Sequence, residues 1–250
     1  MPDPARRQAG TFIAESRLVV RQLLAGGRFR VRSVLCTEAA RATLGAELDA
    51  APAVLVAPDA LIKRVVGFAF HGGCLAAAER GIPASLDMLL AAHAGGPCCL
   101  VVLDRVSNPD NVGGVFRNAL AFGADGVILG PGCTDPLFRK AIRAAMGASL
   151  ALPFAHADDC AATLERLRVA GFTIVALTPR ADAIDVAALG AETVPARFAL
   201  VVGAEGPGLS AAVRGAADVA LRIAMAPGVD SLNVATASGI ALHRLRSRRI

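Results

Sequence analysis

Short apolar runs alternate along this chain with segments whose apolar residues recur at helical spacing. From residue 98 onward the alternation is strict. Strand-like runs fall at 98–103, 127–129, 150–154, 172–177, 198–202 and 219–223. The intervening spacing predicts helices over about 112–122, 136–147, 160–170, 210–216 and 232–248. Asp135 followed by Pro136 reads as an N-cap and a proline start for the second of these. Strands that are apolar on both faces and alternate with helices predict a mostly parallel sheet covered on both sides.

The earlier part of the chain alternates less cleanly. Candidate strands lie at 10–14, 30–36, 53–57 and 74–78. Between the first two, 16–24 carries a helical stripe of Leu18, Val19, Leu23 and Leu24, ended by Gly26-Gly27. A short helix follows at 83–93 and is closed by Ala94-Gly-Gly-Pro97. The expected organisation is therefore a small α/β domain over 1–82, a linker over 83–97 and a larger α/β domain over 98–250.

Composition narrows the class. With 54% hydrophobic residues the chain has ample core, and its apolar runs are too broken by Arg, Asp, Gly and Pro to span a membrane. The N-terminus, with Arg6 and Arg7 and no apolar segment, does not read as a signal peptide, so a cytoplasmic location is expected. Six cysteines form no C-x-x-C pair, which favours reduced structural thiols over a zinc site. The four histidines, His71 and His243 among them, form no ligand motif, and no metal is expected. The net charge is +5 and almost wholly arginine, because Lys63 and Lys140 are the only lysines. Arginine suits phosphate and base contacts, so the balance permits a nucleic-acid partner. Arg17 and Arg21 share a helix face and Arg30 and Arg32 one face of the next strand, either as a solvated face or as RNA contacts.

The candidate chemistry sits where strands end. Asn111-Val-Gly-Gly-Val-Phe-Arg117 follows the first strand of the larger part. Gly203-Ala-Glu205-Gly-Pro-Gly208 follows the fifth. Met225 to Gly239, with Asp230, Ser231 and Asn233, follows the last. Carboxyl ends of strands are the usual ligand sites of open α/β sheets, and Asp230 and Ser231 are good N-cap types for the last helix. The glycine loop has neither the dinucleotide spacing G-x-G-x-x-G nor a Gly-Lys-Ser or Gly-Lys-Thr, so it offers bare backbone without a phosphate lysine.

In this order the three stretches resemble the three motifs of the SpoU (TrmH-like) RNA ribose methyltransferases of the SPOUT superfamily. That resemblance implies a Rossmann-like SPOUT domain with a deep trefoil knot, where ordinary chain-topology rules predict an unknotted one. It also implies a homodimer and an N-terminal substrate-binding domain resembling a ribosomal-protein fold. The segments from Phe12 to Arg21 and from Phe70 to Ala76 are similar to that domain, although Gly72-Gly73 stands where Gln-Gly is usual. The implied cofactor is S-adenosylmethionine, with Thr178, Gly203, Ile223 and Leu232 at cofactor-contact positions. The implied catalytic set is Arg117, Asn111, Glu205, Ser231 and Asn233, with Glu205 either fixing loops or pairing with Arg117. Ala224 departs from the family's usual proline. The implied reaction is 2′-O-methylation of tRNA or rRNA. The alternatives are a non-catalytic RNA-binding protein of the same fold and a Rossmann-like enzyme using NAD or ATP.

Overall fold

The computed structural model describes residues 3–67, 72–190 and 194–246. Phe70 and His71, within the second N-terminal segment of the resemblance, lie outside the described residues, as does the end of the helix expected to reach residue 248.

Two sheets organise the chain. The first is built from β1 (Thr11–Glu15), β2 (Val31–Cys36), β3 (Val54–Val56) and β4 (Cys74–Glu79), in the order β1-β4-β2-β3. Here β4 runs antiparallel to β1 and β2, while β3 is parallel to β2. The helices with it are α1 (Asp3–Gln8), α2 (Arg17–Gly26), α3 (Glu38–Leu44) and α4 (Asp59–Val66). On α2 the buried residues are Val19, Val20 and Leu23, so the stripe is rotated slightly from the expected one and Leu18 is exposed.

After α5 (Leu86–Ala92) come β5 (Cys98–Asp104), α6 (Pro109–Ala121), β6 (Gly126–Leu129), α7 (Arg139–Ala144), α8 (Ala148–Ala151) and β7 (Phe154–His156). The chain continues through α9 (Cys160–Val169), β8 (Thr173–Leu177), β9 (Ile184–Asp185), β10 (Arg197–Gly203), α10 (Ala211–Gly215), β11 (Val219–Arg222) and α11 (Val234–Arg246). Strands β5 to β11 form one parallel sheet in the order β7-β6-β5-β10-β8-β11-β9. Every residue of β5 is buried. Cys99, Val101 and Leu103 enter one core with α6 and α11, while Cys98, Leu100 and Val102 enter the other with α5, α9 and α10. That two-sided burial is why these strands read as continuous apolar runs rather than alternating ones.

Three expectations from the sequence need correction. The run at 150–154 is not one strand: Gly147, at φ 84°, opens the short helix α8, and the β6 ladder resumes only at Phe154. Pro153 has no N–H to donate to that ladder. The helix expected at 136 starts at Arg139 instead. Asp135 is fully buried: its Oδ1 accepts from Leu137 N (2.9 Å), and its Oδ2 takes Arg80 (2.5 Å) and Arg7 (3.3 Å) from the N-terminal part. Finally, α6 begins at Pro109 rather than Val112, with Asn108 capping Asp110 N at 2.8 Å.

The two sheets are tied together by more than Asp135. Arg139 on α7 reaches buried Glu15 on β1 at 3.3 Å. The α7–α8 turn packs so closely on α2 that a Cβ at Gly147 would overlap Gln22 Oε1. Ala84, ahead of α5, forms a parallel bridge with Ala155 of β7. None of the six cysteines forms a disulfide, and burial pushes Cys74, Cys98 and Cys160 up to about 12, so these thiols stay protonated and act as core residues. No helix among the described residues is long and apolar enough to cross a membrane.

Candidate active site

A cleft opens at the carboxyl ends of β8, β10 and β11. It has about 680 Å³ of empty volume and is open to solvent. Thr178 and Pro179 line it beyond β8, Gly203 to Gly206 beyond β10, and Ile223 and Met225 beyond β11, with Ser231, Leu232 and Val234 from the segment that enters α11. All four positions expected to contact a cofactor, Thr178, Gly203, Ile223 and Leu232, therefore face one space.

Gly203 must be glycine for a steric reason. The loop folds back so that Gly208 N donates to Ala204 O at 3.0 Å. A Cβ at Gly203 would lie 2.5 Å from Leu209 N and 2.7 Å from Gly208 O. Gly206 and Gly208 occupy positive φ, 79° and 65°, where a side chain is strained. Two residues that the sequence reading passed over hold this loop from β5. Buried Asp104 accepts from Ser210 N at 2.6 Å, and Arg105, itself at φ 59°, donates from Nη2 to Gly208 O at 3.3 Å. The signal available was an acid closing an otherwise wholly apolar strand.

Helices α6 and α11 lie side by side and parallel. Asn233 meets Asn111, Gly114 packs on Ala235, Asn118 donates to Ala235 O (2.5 Å), and Phe122 meets His243 edge to face at 5.6 Å. Gly114 allows this approach, since a Cβ there would sit 2.6 Å from Ala235 Cβ. Parallel packing brings the two helix N-termini together, with that of α11 at the cleft.

The join between them is Asn233. Its Nδ2 donates to Asn111 Oδ1 and to Glu205 Oε1, both at 2.8 Å. Its Oδ1 accepts from Ala235 N (3.0 Å) and Thr236 N (3.2 Å). Both amide hydrogens and both lone pairs of this side chain are thus used, and the amide orientation is set by the network. Asn233, not Asp230 or Ser231, is the cap of α11. Glu205 is engaged by Asn233, and no ion pair joins it to Arg117 among the described residues.

The other groups are free to meet a ligand. Among the described residues Arg117 makes no hydrogen bond or ion pair; it is exposed on α6, one turn beyond Gly113, and does not line the cleft. Asn111 is buried, yet its Nδ2 makes no hydrogen bond among the described residues. Ser231 stands at the cleft with its hydroxyl likewise unengaged. The N-terminal arginines are placed elsewhere: Arg17 donates to Thr43 (3.4 Å), Arg21 pairs with Glu47 (2.8 Å), and Arg30 and Arg32 both approach Glu79 (3.6 and 3.2 Å). Tertiary structure also gathers His93, Cys98 and Asp125, with donor atoms within 4.8 Å, at the opposite end of β5. Asp125 there already accepts from Cys99 N at 2.7 Å, and the charges of Arg197 and Arg246 oppose a cation beside Cys98.

The model of the SpoU rRNA Methylase family matches residues 99–243, the stretch that contains the cleft and all three loops. The chain belongs to this SpoU family. A relative named as an uncharacterized tRNA/rRNA methyltransferase of Mycobacterium tuberculosis is 41% identical over 238 residues, 94% of this chain and 81% of the relative. The AdoMet-bound rRNA methyltransferase of Sinorhizobium meliloti is 28% identical, with a TM-score of 0.83 over 99% of this chain and 91% of its own. The SpoU methyltransferase AviRb of Streptomyces viridochromogenes, solved with AdoMet, is 25% identical with a TM-score of 0.80, over 99% and 94%.

Proposed function

We propose that this SpoU methyltransferase transfers the methyl group of S-adenosylmethionine to a ribose 2′-hydroxyl of tRNA or rRNA. The observation that carries the reading is the Asn111–Asn233–Glu205 junction, which locks the α6 and α11 N-termini together beside a glycine-floored cleft, with Arg117 exposed and unengaged on α6. The cleft fits the cofactor: it has mixed polar and apolar walls, close backbone at Gly203 and no lysine. Thr178, Gly203, Ile223 and Leu232 hold it there, and bound S-adenosylmethionine supplies an electrophilic methyl group.

The chain's own part is to present the hydroxyl. Ser231 Oγ and Asn111 Nδ2 orient the ribose, and Asn233 and Glu205 keep the loops from moving. As the O–CH3 bond forms, the S–CH3 bond breaks, S-adenosylhomocysteine leaves and the hydroxyl proton passes to solvent; a guanidinium has five N–H donors and no acceptor, so Arg117 aligns the hydroxyl and stabilises the developing oxyanion rather than taking its proton.

The reading extends to the rest of the molecule. The division into 1–82, 83–97 and 98–250 stands as a substrate-binding domain, linker and SPOUT domain. The C-terminal segment is threaded as a trefoil knot, and the enzyme is a cytoplasmic homodimer without a metal. Arg17, Arg21, Arg30 and Arg32 contact RNA by exchanging their surface partners for phosphates. Such exposed pairs are worth roughly 0–1 kcal/mol and are readily exchanged.

Calorimetry separates this reading from its rivals. S-adenosylmethionine and S-adenosylhomocysteine are expected to bind, with ATP and NAD at least about a hundredfold weaker, a gap of roughly 3 kcal/mol. Tight NAD or ATP binding with no response to S-adenosylhomocysteine would overturn it.

A further inference from the structure

Most cations of this chain are already engaged. Among the described residues, the lysine and arginine side chains with no hydrogen bond, ion pair or ring contact are Arg64, Arg117 and Arg143. The neighbours of Arg143 on α7 show the contrast: Arg139 is held by Glu15 (3.3 Å) and Lys140 by Asp110 (2.8 Å). Arg143 is exposed and faces no acid within pairing distance.

Its place in the fold gives this a meaning. On one side α7 packs against α6 through Gly113, where a Cβ would lie 2.5 Å from Ala141 O and 2.6 Å from Ala144 Cβ. Arg117 follows Gly113 by one turn on α6. On the other side, the turn after α7 places Met146 at φ 51° and seats Gly147 against Gln22 and Val19 of α2. Arg143 thus stands on the surface between α2, which carries Arg17 and Arg21, and the helix that carries Arg117.

We propose that Arg143 is a substrate-positioning residue that binds an RNA backbone phosphate and holds the strand in register with Arg117. The proposal rests on the RNA methyltransferase reading. A single exposed guanidinium contacting one phosphate acts mainly as a charge, so lysine should replace it, unlike at Arg117.

The test uses the full chain, with tritiated S-adenosylmethionine and bulk tRNA and rRNA prepared from cells lacking the gene. Arg143→Ala is expected to raise KM for RNA about tenfold with kcat near wild type. It should also reduce the slope of log binding constant against log salt by about one. Arg143→Lys should restore most of both. S-adenosylhomocysteine affinity and thermal unfolding, unchanged in both variants, serve as folding controls. An Arg143→Ala protein with wild-type KM and wild-type salt slope would overturn the proposal. RNA binding is measured without cofactor, so the slope comparison judges Arg143 separately. Absence of methyl transfer by the wild-type protein would instead overturn the methyltransferase reading.

Discussion

Arg117→Ala is expected to lower single-turnover methyl transfer by about 10²–10³-fold, roughly 3–4 kcal/mol of transition-state stabilisation. Cofactor affinity should be unchanged, because Arg117 does not line the cleft. Folding should be unchanged as well, because this exposed side chain makes no hydrogen bond or ion pair among the described residues. Arg117→Lys should recover little: a point charge does not reproduce the planar fork needed to hold a hydroxyl and a phosphate together. Single-turnover kinetics and cofactor titration on the same preparations check both halves. Near wild-type turnover in the alanine variant would remove Arg117 from the mechanism.

Gly203→Ala should produce the converse pattern. The added methyl has nowhere to go, because its nearest neighbours are the backbone atoms of Gly208 and Leu209 rather than a flexible side chain. The loop must shift, at a cost typical of overpacking, about 1–3 kcal/mol. Because Gly203 floors the cleft, the cost should appear as a roughly ten- to hundredfold loss of S-adenosylhomocysteine affinity by calorimetry, with RNA binding retained. Unaltered cofactor affinity would mean that the glycine loop is not part of the cofactor site.

Much of the larger sheet was legible because the physics is local. Wholly apolar runs such as β5 and β10 are signatures of strands buried on both faces, and their bounds shifted by a residue or so. The segment around Leu150 misled because Leu150 and Leu152 are buried as strand residues would be, yet Gly147 turns the chain into a helix first. Asp135 misled in a similar way: an acid before proline is a local cap signal, but here it holds only Leu137 N locally and otherwise serves Arg7 on α1 and Arg80 just after β4.

The candidate site divides along the same line. Each loop was visible as glycine and polar residues just past a strand. The hydrogen bond from Asn233 to Asn111 joins residues 122 positions apart, and no periodicity encodes it. Nor could sequence say that Glu205 would meet Asn233 rather than Arg117, or that Arg105 would reach Gly208. These contacts exist because β10 inserts between β5 and β8, bringing three strand ends to one place. The engagement of Arg21, Arg30 and Arg32 with Glu47 and Glu79 was hidden because β2 meets β4, and α2 meets the 45–50 turn, only in the folded chain.

The central claim, methyl transfer to ribose, is tested most directly by the chemical identity of the product. RNA from cells lacking the gene is incubated with the purified protein and isotopically labelled S-adenosylmethionine, digested to nucleosides and separated by mass. The account predicts label in a 2′-O-methylated nucleoside, with the labelled methyl on the sugar fragment, and its loss with Arg117→Ala. Label carried on a base fragment, or no label from the wild-type protein, would contradict it.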